Sequence, residues 1–128
     1  MTRSGSARGA AIALLLAGMS LQSYVSLLRT SEASLWLWLW LCAPYLVGTI
    51  ILGVSRNPAY AIGWPALPLL ADAAMYYSVF IRPTASTVSL GYMAIPLLDL
   101  VLFGPLGLLI SWVAIRVVAH EAAKSNSR

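Results

Sequence analysis

The sequence predicts an all-α membrane protein, a four-helix transmembrane bundle with short loops and both termini on the cytoplasmic side. Three observations carry that expectation. Of 128 residues, 60% are hydrophobic and 9% are charged, whereas a soluble domain carries about 25% charged residues. The apolar residues gather in four runs, each near the roughly 20 residues a helix needs to cross a bilayer. The Lys and Arg residues stand singly at the ends of those runs. A soluble chain of this length has too little interior to hide so much apolar surface, so lipid must cover it. Residues 1–128 read as a single polytopic domain.

The first run covers about Gly9–Leu28, the second about Ser34–Val54, the third about Tyr60–Ile81 and the fourth about Val88–Ile115. The connections Arg29–Ala33, Ser55–Ala59 and Arg82–Thr87 are short, which makes sequential spans antiparallel neighbours. Arg3, Arg8, Arg56, Arg116, Lys124 and Arg128 fall on one side, and Arg29 and Arg82 on the other. Basic residues mark the cytoplasmic side, so the N-terminus, the second loop and the C-terminus belong there. Trp36, Trp38 and Trp40 then lie at the outer end of the second span, with Trp64 and Trp112 near the inner ends of the third and fourth. That distribution predicts aromatic belts at both interfaces. The alternation Leu35-Trp36-Leu37-Trp38-Leu39-Trp40-Leu41 has the period of a strand. Its continuation through Cys42-Ala43-Pro44-Tyr45 into further apolar residues favours a span.

The first span has a second reading. Arg3 and Arg8, the apolar stretch Ala10–Ala17 and then Gly18-Met19-Ser20 also form the pattern of a signal peptide. Met19 stands where a lipoprotein signal would need its lipidated cysteine. Apolar character resumes at Leu21, Val25, Leu27 and Leu28, which favours a retained span; cleavage would leave three spans in the same orientation. Ser20, Gln22, Ser23, Tyr24 and Ser26 make its outer half polar, and some of these should face protein.

Prolines interrupt the other spans: Pro44 in the second, Pro65 and Pro68 in the third, Pro96 and Pro105 in the fourth. Each removes a helix donor and strains the preceding turn, and in lipid the freed carbonyls must find other partners. Gly104-Pro105-Leu106-Gly107 is the expected kink. The fourth span, at roughly 42 Å for its length, exceeds a core of about 30 Å, so it tilts or starts at the outer surface. Thr84, Ser86 and Thr87 are the candidate N-caps there. Broken helices can mark a transport site, although proline is in any case commoner in membrane helices than in soluble ones.

Asp72 and Asp99 are the only ionisable acids or bases deep within the expected spans; Glu32 falls in a loop and Glu121 in the tail. A central Asp costs about 2.5–3.5 kcal/mol to insert, so it faces the bundle interior and takes a partner. Each Asp sits roughly 15 Å below the outer boundary at 1.5 Å per residue, so the antiparallel hairpin sets them at matched depth. Tyr76 stands one turn above Asp72 and Tyr92 two turns above Asp99, extending a polar column. Two like charges in low dielectric cannot both ionise cheaply. Three readings follow: a proton or cation site, hydrogen-bonding glue between spans, or an Asp that meets a cationic residue on a partner's span.

Other chemistries lack their residues. The single His, His120, lies in the tail with Glu121 and Lys124 and reads as a solvated helix end. There is no nucleophile constellation, phosphate loop or metal-ligand spacing, so the sequence points to no enzyme, cofactor or metal. Cys42 alone can form no internal disulfide and reads as a packing residue. A net charge of +4 spread over isolated basic residues makes no nucleic-acid stripe. In length and span number the chain is similar to the small multidrug-resistance transporters. That family carries an essential Glu in the middle of its first span and Gly9–Leu28 holds no acid, so its function is not carried over. Arg82-Pro83-Thr84-Ala85-Ser86-Thr87 before a Leu/Pro-rich span looks loosely like small bacterial membrane proteins, a similarity that names no activity.

Two functional expectations remain. The first is a non-enzymatic bacterial inner-membrane protein that binds a protein partner, as an accessory subunit or as an immunity protein against a membrane-acting toxin. Thr49/Gly53 and Ala74/Ser78 place small residues four apart, which lets helices approach closely. The second is a proton- or cation-coupled transporter using Asp72 and Asp99, which would need a homo-oligomer because four spans enclose little volume.

Overall fold

The computed structural model describes residues 2–28, 34–82 and 88–126, all of them helical except Ser34, Ser55, Arg56, Asn57 and Arg82. Helix α1 runs Thr2–Leu28, α2 Leu35–Val54 and α3 Pro58–Tyr76, which continues as a π-helical turn over Tyr77–Ile81. Helix α4, Val88–Leu98, passes through a second π-helical turn, Asp99–Phe103, into α5, Gly104–Asn126. The tryptophan-leucine alternation is helical, as its apolar continuation indicates. Arg29, Glu32, Arg128 and the expected caps Thr84, Ser86 and Thr87 lie outside the described residues.

Each helix turns one stripe inward, and the stripe follows the helical repeat. On α1 it is Ala11, Leu15, Gly18, Gln22 and Val25; on α2, Leu41, Tyr45 and Gly48; on α3, Ala61, Trp64, Pro68 and Asp72. Large apolar residues lie on the outside instead, among them Leu16, Trp36, Ile50, Leu70, Val101 and Leu109. The buried polar side chains Gln22, Ser26, Asp72 and Asp99 lie within. A polar interior under an apolar exterior suits lipid as the surrounding solvent. Three helical stretches, Gly5–Leu28, Leu35–Val54 and Gly91–Ser125, are long and apolar enough to cross a membrane. Helix α3 is not among them, because Pro65, Pro68 and Asp72 lower its hydropathy. It is the helix that packs against α1, α2 and α5, so its least apolar residues are covered by protein.

Helix α3 starts two residues before the expected Tyr60, and the local chemistry explains why. Asn57 Oδ1 accepts the Ala59 N–H at 3.0 Å and Pro58 takes the first helical position, where its missing donor does no harm. At the other break, the expected kink at Gly104–Gly107 is realised as the π turn just before it. The Gly104 N–H bonds back to Asp99 O, five residues away. Widening the turn fits the missing Pro105 donor and its ring without breaking the helix. The extra residue also moves the inward stripe, from Tyr92, Ile95 and Asp99 on one side of the turn to Gly104 and Gly107 on the other.

Close crossings rest on glycine. A Cβ on Gly107 would run into the Gly63 carbonyl, and one on Gly63 into Ser111 Oγ and Gly107 O. Ser111 Oγ also donates to Ala59 O at 3.1 Å, tying α5 to α3. Thr49/Gly53 and Ala74/Ser78, expected as close-approach pairs, make none of these crossings. Thr49, Gly53 and Ala74 are exposed, and the Thr49 and Ser78 hydroxyls bond back to Tyr45 O and Ala74 O of their own helices.

The aromatic belt needs one correction. Trp64 is only 7% exposed; its ring covers Gly104 and Gly48, and Nε1 donates to Pro44 O at 2.8 Å. It is an interior residue because the two glycines open a slot for the indole. Trp36 and Trp112 are exposed, and the Arg116 guanidinium stands 5.1 Å over the Trp112 ring. Trp38 and Trp40 tie α2 to its neighbours, through Ser23 Oγ at 2.8 Å and Met93 O at 3.0 Å. Cys42 is buried, in keeping with a packing role.

Candidate functional site: a buried carboxyl pair

Asp72 and Asp99 are both 0% exposed. Asp72 comes from the inward stripe of α3 and Asp99 opens the π turn after α4. Their carboxyls stand within hydrogen-bonding reach of one another, which the matched depth of the two spans allows and the rotation of both helices achieves.

The two acids have unequal surroundings. Tyr45 of α2 donates its hydroxyl to Asp72 Oδ2. The ring reaches across because Gly18 of α1 leaves room for it; a Cβ there would overlap the phenol. Gln22 of α1 lies beside the Asp72 carboxyl and interacts with it. Its Oε1 is already occupied by the Tyr92 hydroxyl at 3.0 Å, so its amide N–H is the group that faces Asp72. Asp99 receives nothing comparable: both its oxygens, and Asp72 Oδ1, are buried with no donor from the protein. Two bare carboxylates side by side offer each other only acceptors, which explains how the pair can be adjacent and those three oxygens unsatisfied.

Of the four residues that the sequence singles out, the fold gathers Asp72, Asp99 and Tyr92 into this network. Tyr76 stands beside it, next to Tyr92. Its ring packs between Tyr24, with centroids 6.2 Å apart, and Phe80 at 5.2 Å, and Phe80 in turn meets Tyr92 at 5.8 Å. Spacings of this size are those of favourable aromatic pairs. The ring cluster thus reaches the network through Tyr92.

Gln22 and Tyr45 are the members that residue-by-residue reasoning misses. Gln22 carries a signal, since it is the one amide in a run whose polar residues should partly face protein. Tyr45 carries none: a tyrosine in a membrane helix is ordinarily read as an interface residue. Gln22→Leu removes a donor to Asp72 and the acceptor of Tyr92. At about 0.6–1.7 kcal/mol per interhelical hydrogen bond in a membrane, the expected loss is roughly 1–3 kcal/mol. Unfolding of the purified protein in detergent measures it, and an unchanged midpoint would show that the Gln22 links contribute nothing.

No protein-family model, curated protein or solved structure matches the chain. The chemistry of the site itself is therefore the ground for a functional reading.

Proposed function

We propose that this is a four-span protein of a bacterial inner membrane, with both termini cytoplasmic, whose carboxyl pair binds a proton or small cation in coupled transport by a homo-oligomer. The observation that carries the reading is the pair itself: two acids inside the bundle, with three oxygens left without a donor. An intramembrane acid is costly to insert and marks ion pathways and proton relays. Enclosure by the chain's own helices speaks against an acid waiting for a partner's cationic residue. Taking α3 as the fourth crossing is supported by its 19 residues and the five of its π turn, about 36 Å at 1.5 Å per residue. Its central packing supplies the cover that its composition lacks.

The test is flux. In sealed proteoliposomes containing an internal pH dye, a proton gradient should dissipate faster with the wild-type chain than with Asp99→Asn or Asp72→Asn, both variants falling to the rate of empty vesicles. Equal rates for wild type, both variants and empty vesicles would remove the transport reading. Reporter fusions at the C-terminus and beside Arg82 test the orientation, with the C-terminal one expected inside.

A second reading, partner binding as an accessory or immunity protein, is favoured by a different feature. Thr49 and Gly53 are exposed on α2, and Gly53 has open space beside it, which suits close approach by another helix. Co-purification of a stoichiometric partner, lost on Gly53→Leu, would support it.

A further inference from the structure

The donors around the two acids distinguish which ligand the site holds, on the reading of the pair as a binding site. A metal cation needs several oxygen acceptors turned toward it. Here the groups that face Asp72 are the Tyr45 O–H and the Gln22 amide N–H, both donors, and the Gln22 carbonyl oxygen is taken by Tyr92. Among the described residues no three His, Cys, Asp or Glu side chains come together as a metal-ligand group. A cation placed between the acids would meet their three free oxygens. The neighbouring side chains turn donors toward Asp72, which leaves the ion short of the roughly six oxygens a hard cation takes.

We propose that the Asp72–Asp99 pair holds a single proton, carried on Asp99, while Asp72 serves as a fixed anion. Asp72 accepts a hydrogen bond from the Tyr45 hydroxyl and has the Gln22 amide beside it, and donors turned to a carboxylate favour its charged form. Asp99 has two buried oxygens and no protein donor, the setting in which a bare charge is most costly. A proton on Asp99 turns it into a donor aimed at Asp72 Oδ1, the one Asp72 oxygen that still lacks a donor. One proton thus joins the two carboxyls. The titratable groups that interact with Asp99 are Asp72 from α3, Tyr45 from α2 and Tyr92 from α4. The basic side chains of α5 begin at Arg116, 17 residues along the chain, roughly 25 Å at 1.5 Å per residue. Among the described residues no basic side chain is among the groups acting on either acid.

The chain has four acids, Glu32, Asp72, Asp99 and Glu121, which makes infrared spectroscopy decisive. The purified full chain in phosphatidylcholine–phosphatidylglycerol vesicles at neutral pH should show the C=O stretch of one protonated carboxylic acid, shifted in D₂O. Asp99→Asn should abolish the band and Glu121→Gln should leave it. Asp99→Asn should also unfold at the same temperature as the parent chain, because the new amide donates to Asp72 as the acid did. Asp72→Asn should unfold earlier, since its amide N–H₂ replaces one of two acceptor oxygens among donors; where it folds, it should keep the band. The proposal is overturned by the absence of a band in the wild type, by a band that persists in Asp99→Asn, or by a band that disappears on adding Na⁺, K⁺, Mg²⁺ or Ca²⁺. It is likewise overturned if Asp99→Asn proves the less stable of the two Asn variants. A proton-bearing Asp99 together with zero flux in proteoliposomes would reject transport and leave the assignment of the proton standing.

Discussion

Replacing Asp72 with Ala is expected to be the most damaging single change in the interior, with a loss of roughly 2–5 kcal/mol. The substitution leaves the Tyr45 hydroxyl and the Gln22 amide buried without an acceptor. A buried group stripped of its partner costs about 1–3 kcal/mol, and the cavity left by the carboxyl adds to this. Membrane surroundings soften the figure, because polar groups find other partners in the unfolded state. The same logic gives a sharper test. Tyr45→Phe removes one of the stranded donors, so Asp72→Ala should cost less in a Tyr45→Phe background than in the wild type. A coupling of about 1 kcal/mol in that double-mutant cycle, measured by denaturant or thermal unfolding in detergent, is the expected result. Strict additivity would mean that the Tyr45–Asp72 hydrogen bond is not formed in solution.

The second large effect is expected at the crossing of α3 and α5. Gly107→Ala puts a methyl group into the Gly63 carbonyl, and Gly63→Ala puts one into Gly107 O and Ser111 Oγ. The neighbour at Gly107 is backbone, so neither rotamer change nor side-chain bending relieves the overlap. Overpacking of this kind costs about 1–3 kcal/mol, and the helices must separate, which also breaks the Ser111–Ala59 bond. Once α3 and α5 have been forced apart, a second alanine adds little, so the Gly63→Ala/Gly107→Ala double variant should cost less than the sum of the two. Gly53→Ala is the control: nothing lies near the added methyl, so its unfolding midpoint should match the wild type. Equal midpoints for Gly107→Ala and Gly53→Ala would show that the crossing is looser than the structure describes.

These two regions differ in how far they could be read from residues alone. The acids stand out because charge is rare in an apolar run, and their matched depth follows from counting along an antiparallel hairpin. The glycine crossing does not stand out. Gly63 and Gly107 resemble Gly53 in sequence context, and only the packing distinguishes two glycines at a backbone contact from one that faces outward. Trp64 is a similar case. Tryptophan near a span end ordinarily marks an interface, yet here Gly48 and Gly104 from two other helices create the slot that takes it inside.

The sequence by itself determined the helical, apolar character of the chain and the candidate pair, because composition and hydrophobic run length are local properties that lipid reads directly. It also placed a break at Gly104–Gly107, which the structure realises as the π turn Asp99–Phe103 just before it, since a missing proline donor is felt wherever the chain goes. Tertiary structure alone decided the azimuth of each helix: that Asp72 and Asp99 turn toward each other, that Tyr45 and Gln22 face the first with donors and not the second, and that Tyr76 packs between Tyr24 and Phe80. The physical reason lies in the π turn and the glycine contacts. A one-residue shift in helical register at Asp99–Phe103 rotates everything beyond it, and that rotation depends on backbone packing against α3, which no periodicity along a single segment records.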